Sequence, residues 1–169
     1  VIPRGPENGP QDLEMKQQRI GIFIDLNNVE MSVEGYNELG WSLDYSDLVT
    51  NLCDGRRLLN VIVYDSRPVA ENRRRLQLHD SLKSNGFEVR ILEPCYNRER
   101  SEIIQKEVDT SIVADSVMMC SRDLIDVAVI VSGDRDMRPA VKTIRSVGKS
   151  AEVASFPTVL SDDLRYSCD

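Results

Sequence analysis

An α/β fold, doubly wound, with a mostly parallel sheet of about five strands flanked by helices, is what this chain of 169 residues predicts. Two observations predict it. Short, nearly all-apolar runs recur along the chain, as strands covered on both faces require. Between them lie stretches with helical periodicity, two of them closed by Asn85-Gly86 and Gly148, where a helix needs a residue that tolerates left-handed backbone. Strands alternating with helices imply parallel crossovers. With 41% apolar residues the chain can bury one sizeable core and is too short to argue for two domains.

Taken in order, residues 1–18 carry Pro3, Gly5, Pro6, Gly9 and Pro10 among polar neighbours and no apolar period. They are expected to form a flexible N-terminal segment, and the globular part to span 19–169. The strands are read at 20–24, 58–64, 87–92, 127–131 and 150–154, and the helices at 45–53, 69–84, 103–120 and 137–146. The stretch 29–42 has no clear period and reads as a loop or short helix overhanging the first strand. There is no internal repeat.

The apolar runs are far shorter than a membrane span, and no signal-peptide order opens the chain, so a cytoplasmic protein is expected. Cys53, Cys95, Cys120 and Cys168 form no CxxC pair and His79 is the single histidine, which gives a structural zinc site little to build on. The thiols are expected to be reduced. A formal charge of −7 opposes general attraction to nucleic acid, so any RNA partner must meet a local basic surface. The sequence leaves the oligomeric state open, a homodimer included.

Ligands of doubly wound sheets bind at the carboxyl ends of strands, where the strand order reverses. The first strand ends in Asp25-Leu26-Asn27-Asn28 and the fourth in Ser132-Gly133-Asp134-Arg135-Asp136. If these strands are neighbours, Asp25 and Asp134 converge. Gly133 would permit a tight turn and Asp136 would cap the next helix. An Asp at a strand end is more often a turn or capping residue than a ligand, and two such loops coinciding weakens that plainer explanation. In the helix 103–120, Val108, Ile112, Val113 and Met119 set an apolar arc that also contains Asp109 and Asp115. A buried carboxylate needs a partner. For Asp109 a metal is expected, and for Asp115 a structural ion pair or hydrogen bond. Lys106, one turn before Asp109, suits the acids or a phosphate. Carboxylate oxygens select Mg²⁺ or Mn²⁺ over softer ions.

Phe23-Ile24-Asp25-Leu26-Asn27-Asn28, Lys106-Glu107-Val108-Asp109, Val131-Ser132-Gly133-Asp134-Arg135-Asp136 and the closing Ser161-Asp162-Asp163-Leu164-Arg165-Tyr166-Ser167-Cys168-Asp169 together resemble the NYN domain, of the LabA-like kind within the PIN-like nucleases. The resemblance spans 19–169. It implies strand order 3-2-1-4-5, an acidic Mg²⁺ site formed by Asp25, Asp109, Asp134 and Asp136 with Asn28 in support, and RNA hydrolysis leaving 5′-phosphate and 3′-hydroxyl ends. Glu107 stands where the family commonly has glycine, and Met137 where phenylalanine is common. The family usually continues past the closing motif into a last hydrophobic strand, so an edge strand is expected to be missing here or supplied by another segment.

Arg135, Arg138, Lys142 and Arg145 are spaced for one arc of a helix that starts at the acidic loop, a stripe suited to a phosphate backbone, although a solvated face is the commoner meaning of such spacing. Arg67 and the run Arg73-Arg74-Arg75 follow the second strand, and Arg98 and Arg100 precede the acid-bearing helix. Tyr36, Trp41, Tyr64 and Tyr96 offer stacking to unpaired bases or simple packing. The expected function is a divalent-metal ribonuclease acting on single-stranded RNA, with Arg67, Lys106, Arg135, Arg138 and Lys142 holding the nucleic acid. Its rivals are an RNA-binding or regulatory NYN module without turnover, and a haloacid-dehalogenase-like phosphatase, against which Asn27 stands where that family has a second aspartate.

Overall fold

The structure, a computed structural model, describes residues 17–37, 40–67, 72–93, 95–97, 102–104 and 106–167. In chain order the elements are β1 (Arg19–Asp25), α1 (Leu26–Asn37), α2 (Tyr45–Cys53), β2 (Arg57–Ser66), α3 (Arg73–Ser84), β3 (Glu88–Leu92), β4 (Cys95–Asn97), β5 (Glu102–Ile104), α4 (Lys106–Ser121), β6 (Val127–Val131), a 3-10 turn (Arg135–Met137), α5 (Arg138–Ser146), β7 (Ser150–Ala154) and α6 (Asp162–Arg165).

Five strands form one parallel sheet in the order β3-β2-β1-β6-β7, the order 3-2-1-4-5 expected of its strands. β1 is central because its side chains are apolar on both faces. Ile20, Ile22 and Ile24 point into a core with α1, α2 and α3, while Phe23 faces α4 and α5 on the other side. All four are fully buried, and each such side chain contributes about 1.5–3 kcal/mol of transfer free energy. At the amino ends of the strands Arg19 and Lys149 both grip Asp126, at 2.8 Å each, tying β1, β6 and β7 together. The Arg19 hydrogen bond, with help from Lys149, holds the Asp126 carboxyl far below its ordinary range.

Several boundaries differ from the expectation, each for a local reason. The stretch read as a loop or short helix is the helix α1, capped by the Asp25 carboxylate, which accepts from the Asn28 N–H at 3.1 Å. Its buried stripe of Leu26, Val29 and Val33 is diluted by Asn, Ser and Gly, which hide the period. The helix read at 103–120 begins at Lys106, because 103 and 104 belong to β5, antiparallel to β4. The helix read at 69–84 begins at Arg73, where the Asn72 side chain caps it; Val69 lies outside the described residues. Gln17 and Gln18, placed in the flexible segment, bond to Gly55 and Arg57; residues 1–16 lie outside the described residues. Cys53 and Cys120 are free thiols, while Cys168 and the side chain of Cys95 also lie outside. Among the described residues no helix is long and apolar enough to cross a membrane.

Candidate metal and nucleic-acid site

β1 and β6 are parallel neighbours between which the strand order reverses, and their carboxyl ends deliver Asp25 and the loop 132–136 to one place. Asp25 is only 6% exposed. Its carboxylate accepts from the Asn28 amide and, at 3.2 Å, from the Ser132 hydroxyl, which in turn accepts the Asp134 N–H at 3.2 Å. Burial pushes the Asp25 carboxyl above its ordinary range, and the nearby Asp134 charge adds to that push, while the hydrogen bonds oppose it. The groups holding Asp25 are neutral donors, so its charge is oriented by them and not neutralised.

The loop after β6 departs from the expectation at two residues. Asp134, not Asp136, caps the next turn, its side chain accepting the Asp136 N–H at 2.9 Å. Gly133 does not adopt a positive φ. It is required for space: a Cβ there would lie 2.5 Å from the Val159 carbonyl oxygen and 2.6 Å from Ser155 Oγ. The Gly133 N–H donates to Asn28 Oδ1 at 3.0 Å, and its carbonyl accepts from the Ser161 N–H at 3.1 Å. Asn28 thus supports the site by positioning the loop that bears Asp134.

Asp109 and Asp136 meet across a cleft of about 740 Å³, together with Arg135, Arg138 and Lys142 and with Asp163 from α6. Asp163 lies in the closing motif, outside the acids that the resemblance implies. Its signal was the Ser161 cap followed by two acids, and only the return of the 155–161 segment over Gly133 brings it here. Among the described residues no three His, Cys, Asp or Glu side chains stand close enough to enclose an ion. The four expected ligands are thus divided: Asp134 lies near enough to Asp25 for its charge to act on it, while Asp109 and Asp136 line the cleft with Asp163. Such a set suits Mg²⁺, which is usually held by one or two carboxylates together with waters and substrate phosphates.

Asp115 has the structural role expected of it. It accepts from the Tyr64 hydroxyl at 2.7 Å and pairs with Arg90, whose guanidinium lies 5.7 Å from the Tyr64 ring centre. Tyr64 is buried, so it packs and does not stack on bases. Of the basic residues, Arg135, Arg138 and Lys142 line the cleft, whereas Arg145 donates to the Ser167 carbonyl at 3.0 Å. Arg67 lies at the carboxyl end of β2, paired with Glu93 at the surface. Arg75 is committed to Asp65 at 2.7 Å, beside His79, on the opposite face of the sheet. Arg98, Arg100 and the side chains of Lys106 and Tyr96 lie outside the described residues.

A parallel sheet of order 3-2-1-4-5 with Asp25 and the Asp134 loop at its switch point is that of the PIN-like, nuclease-type fold. The chain belongs to the NYN domain family, whose pattern it matches over residues 19–169. It is also similar in structure to a protein of unknown function from Vibrio parahaemolyticus, at TM-score 0.75 and 24% identity over 90% of each chain, a likeness of fold. No curated protein matches it in sequence.

Proposed function

We propose that the domain hydrolyses phosphodiester bonds of single-stranded RNA with Mg²⁺ or Mn²⁺. The carrying observation is the buried Asp25 carboxylate beside Asp134 at the switch point, oriented by neutral donors and left with uncompensated charge. A hard cation, when bound, supplies a polarised water and neutralises charge on the phosphate. Within the chain, Asp25 and Asp134 provide the anionic pair, and Ser132 and Asn28 fix their separation through the Asp25 and Gly133 hydrogen bonds. Arg135, Arg138 and Lys142 offer guanidinium and ammonium groups to the phosphates on either side of the scissile bond. Asp109, Asp136 and Asp163 keep the cleft floor acidic, which favours a metal-bridged phosphate over a bare one.

The test is Asp134→Asn. Asparagine retains an oxygen to accept the Asp136 N–H, so the metal-free fold should keep its Tm or gain slightly as repulsion with Asp25 is relieved. Cleavage of a mixed RNA pool across a Mg²⁺ and Mn²⁺ series should be lost. Retained cleavage would remove Asp134 from the site. Tight RNA binding with no cleavage at any metal concentration by the parent would favour the binding-module reading. No feature of the site favours the phosphatase reading.

A further inference from the structure

The strand ends that carry the acids open, on the α1 and α2 side of the sheet, into a second hollow. Two cavities of about 320 and 430 Å³ meet there, sharing Leu43 and Phe156. Each is of the size of a small-ligand pocket, about 300–1,000 Å³. The wall nearest the acids is Asn28 and Ser132, the same residues that hold Gly133 and Asp25. The far end is aromatic. Tyr36 lies against Phe156 with ring centres 5.4 Å apart and planes inclined by 34°. Trp41 stands at the same cavity with 71% of its surface exposed.

The chemistry of the lining narrows the occupant. No charged side chain lines either cavity among the described residues, and the polar side chains there are neutral: Asn28, Ser42, Ser132 and Ser155, with the Tyr36 hydroxyl and the Trp41 indole N–H. Such a surface repels a phosphate and accepts a flat neutral ring with hydrogen-bonding edges. The cleft on the other flank of the Asp25–Asp134 pair carries Arg135, Arg138 and Lys142, which suit phosphates. A ligand that alternates phosphates with neutral aromatic rings matches both flanks at once. A paired base cannot reach the hollow, because it must leave its stack to enter.

We propose that the hollow receives an unpaired nucleobase adjoining the phosphate that a cation at Asp25 and Asp134 would hold, stacked against Trp41 and the Tyr36–Phe156 pair. It is a specificity-determining subsite that selects single-stranded over double-stranded RNA. This rests on the single-stranded RNA reading of the acidic site and adds where the base adjoining the scissile phosphate is held.

Trp41 is the chain's one tryptophan, so its emission reports on the hollow directly. The intact protein, with Ca²⁺ in place of Mg²⁺ or Mn²⁺ so that a phosphate can be held without turnover, is titrated with oligoadenylate, with the same strand paired to oligouridylate, and with a strand bearing abasic positions. Oligoadenylate alone should quench the emission in a saturable way. Trp41→Ala should weaken oligoadenylate binding roughly five- to a hundredfold, the worth of one base stack, and Trp41→Phe should restore most of it. Neither change should alter duplex binding, and the exposure of Trp41 leaves folding unaffected. Equal quenching by the abasic strand, unchanged affinity in Trp41→Ala, or no binding of any RNA would overturn the subsite, as would an apolar protein surface that blocks Trp41 while RNA does not. Cleavage measured on the same preparations with Mg²⁺ or Mn²⁺ separates the two readings. Stacking without cleavage would overturn the nuclease reading alone, and cleavage indifferent to Trp41→Ala would overturn the subsite alone.

Discussion

Gly133→Ala should be among the most costly single methyl additions in the domain. The new Cβ would lie 2.7 Å from the Val159 carbonyl carbon and 2.5 Å from its oxygen. Carbon pairs pack best at about 3.5–4.0 Å, so the overlap approaches 1 Å. Ser155 Oγ, at 2.6 Å, can rotate aside, but the Val159 peptide is backbone. It sits in a segment anchored by the Val159 N–H to the Phe156 carbonyl and by the Ser161 N–H to the Gly133 carbonyl itself. Relief therefore requires the segment 155–161 to retreat, carrying α6 and its buried Leu164. Overpacking of this kind costs about 1–3 kcal/mol, and a stretched backbone hydrogen bond about 1 more. For a domain of this size, about 2–4 kcal/mol lowers Tm by roughly 4–16 °C, read by circular dichroism on heating. RNA cleavage should fall as well, because Asp134 and Asp163 shift against Asp25. An unchanged Tm would refute the close approach as the reason for glycine here.

Further outcomes are expected elsewhere. Asp115→Ala should cost about 1–3 kcal/mol in thermal unfolding by stranding the Tyr64 hydroxyl and Arg90, and adding Tyr64→Phe should cost little more; full stability with lost metal binding would instead place Asp115 at the cation. Exchanging Arg138 and Lys142 together for glutamate should weaken RNA binding and flatten its salt dependence, whereas an unchanged slope would assign the stripe to solvation. Because Arg19 and Lys149 hold the Asp126 carboxyl below its unfolded value of 3.8, its contribution is fully present above that pH and is lost as pH falls through the folded value. Asp126→Asn should thus lower Tm at neutral pH and make the decline of Tm on acidification shallower than in the parent; parallel curves would show that the clamp adds nothing.

What could be read without coordinates was whatever depends on local pattern. The apolar runs announced β1, β6 and the carboxyl half of β2 because a strand buried on both faces must be apolar at nearly every position. The position of Asp115 within an apolar arc was enough to require a partner, though not to name Tyr64 and Arg90, which arrive from β2 and β3. Helix α1 was legible only as a loop or short helix because its small polar residues lower the apolar signal that packing against the sheet restores. Only the tertiary structure decided which acids share a space. Gly133 looked like a turn residue and is a clearance residue, since the atoms that exclude a side chain belong to a segment more than twenty residues later. The capping role went to Asp134 and not Asp136 because the backbone after β6 turns two residues sooner than the motif suggests. Asp163 joins the cleft, and Arg75 and Tyr64 leave the list of RNA contacts, for the same reason: which face of the sheet a side chain meets depends on how strands from distant parts of the chain line up, and no local spacing encodes that.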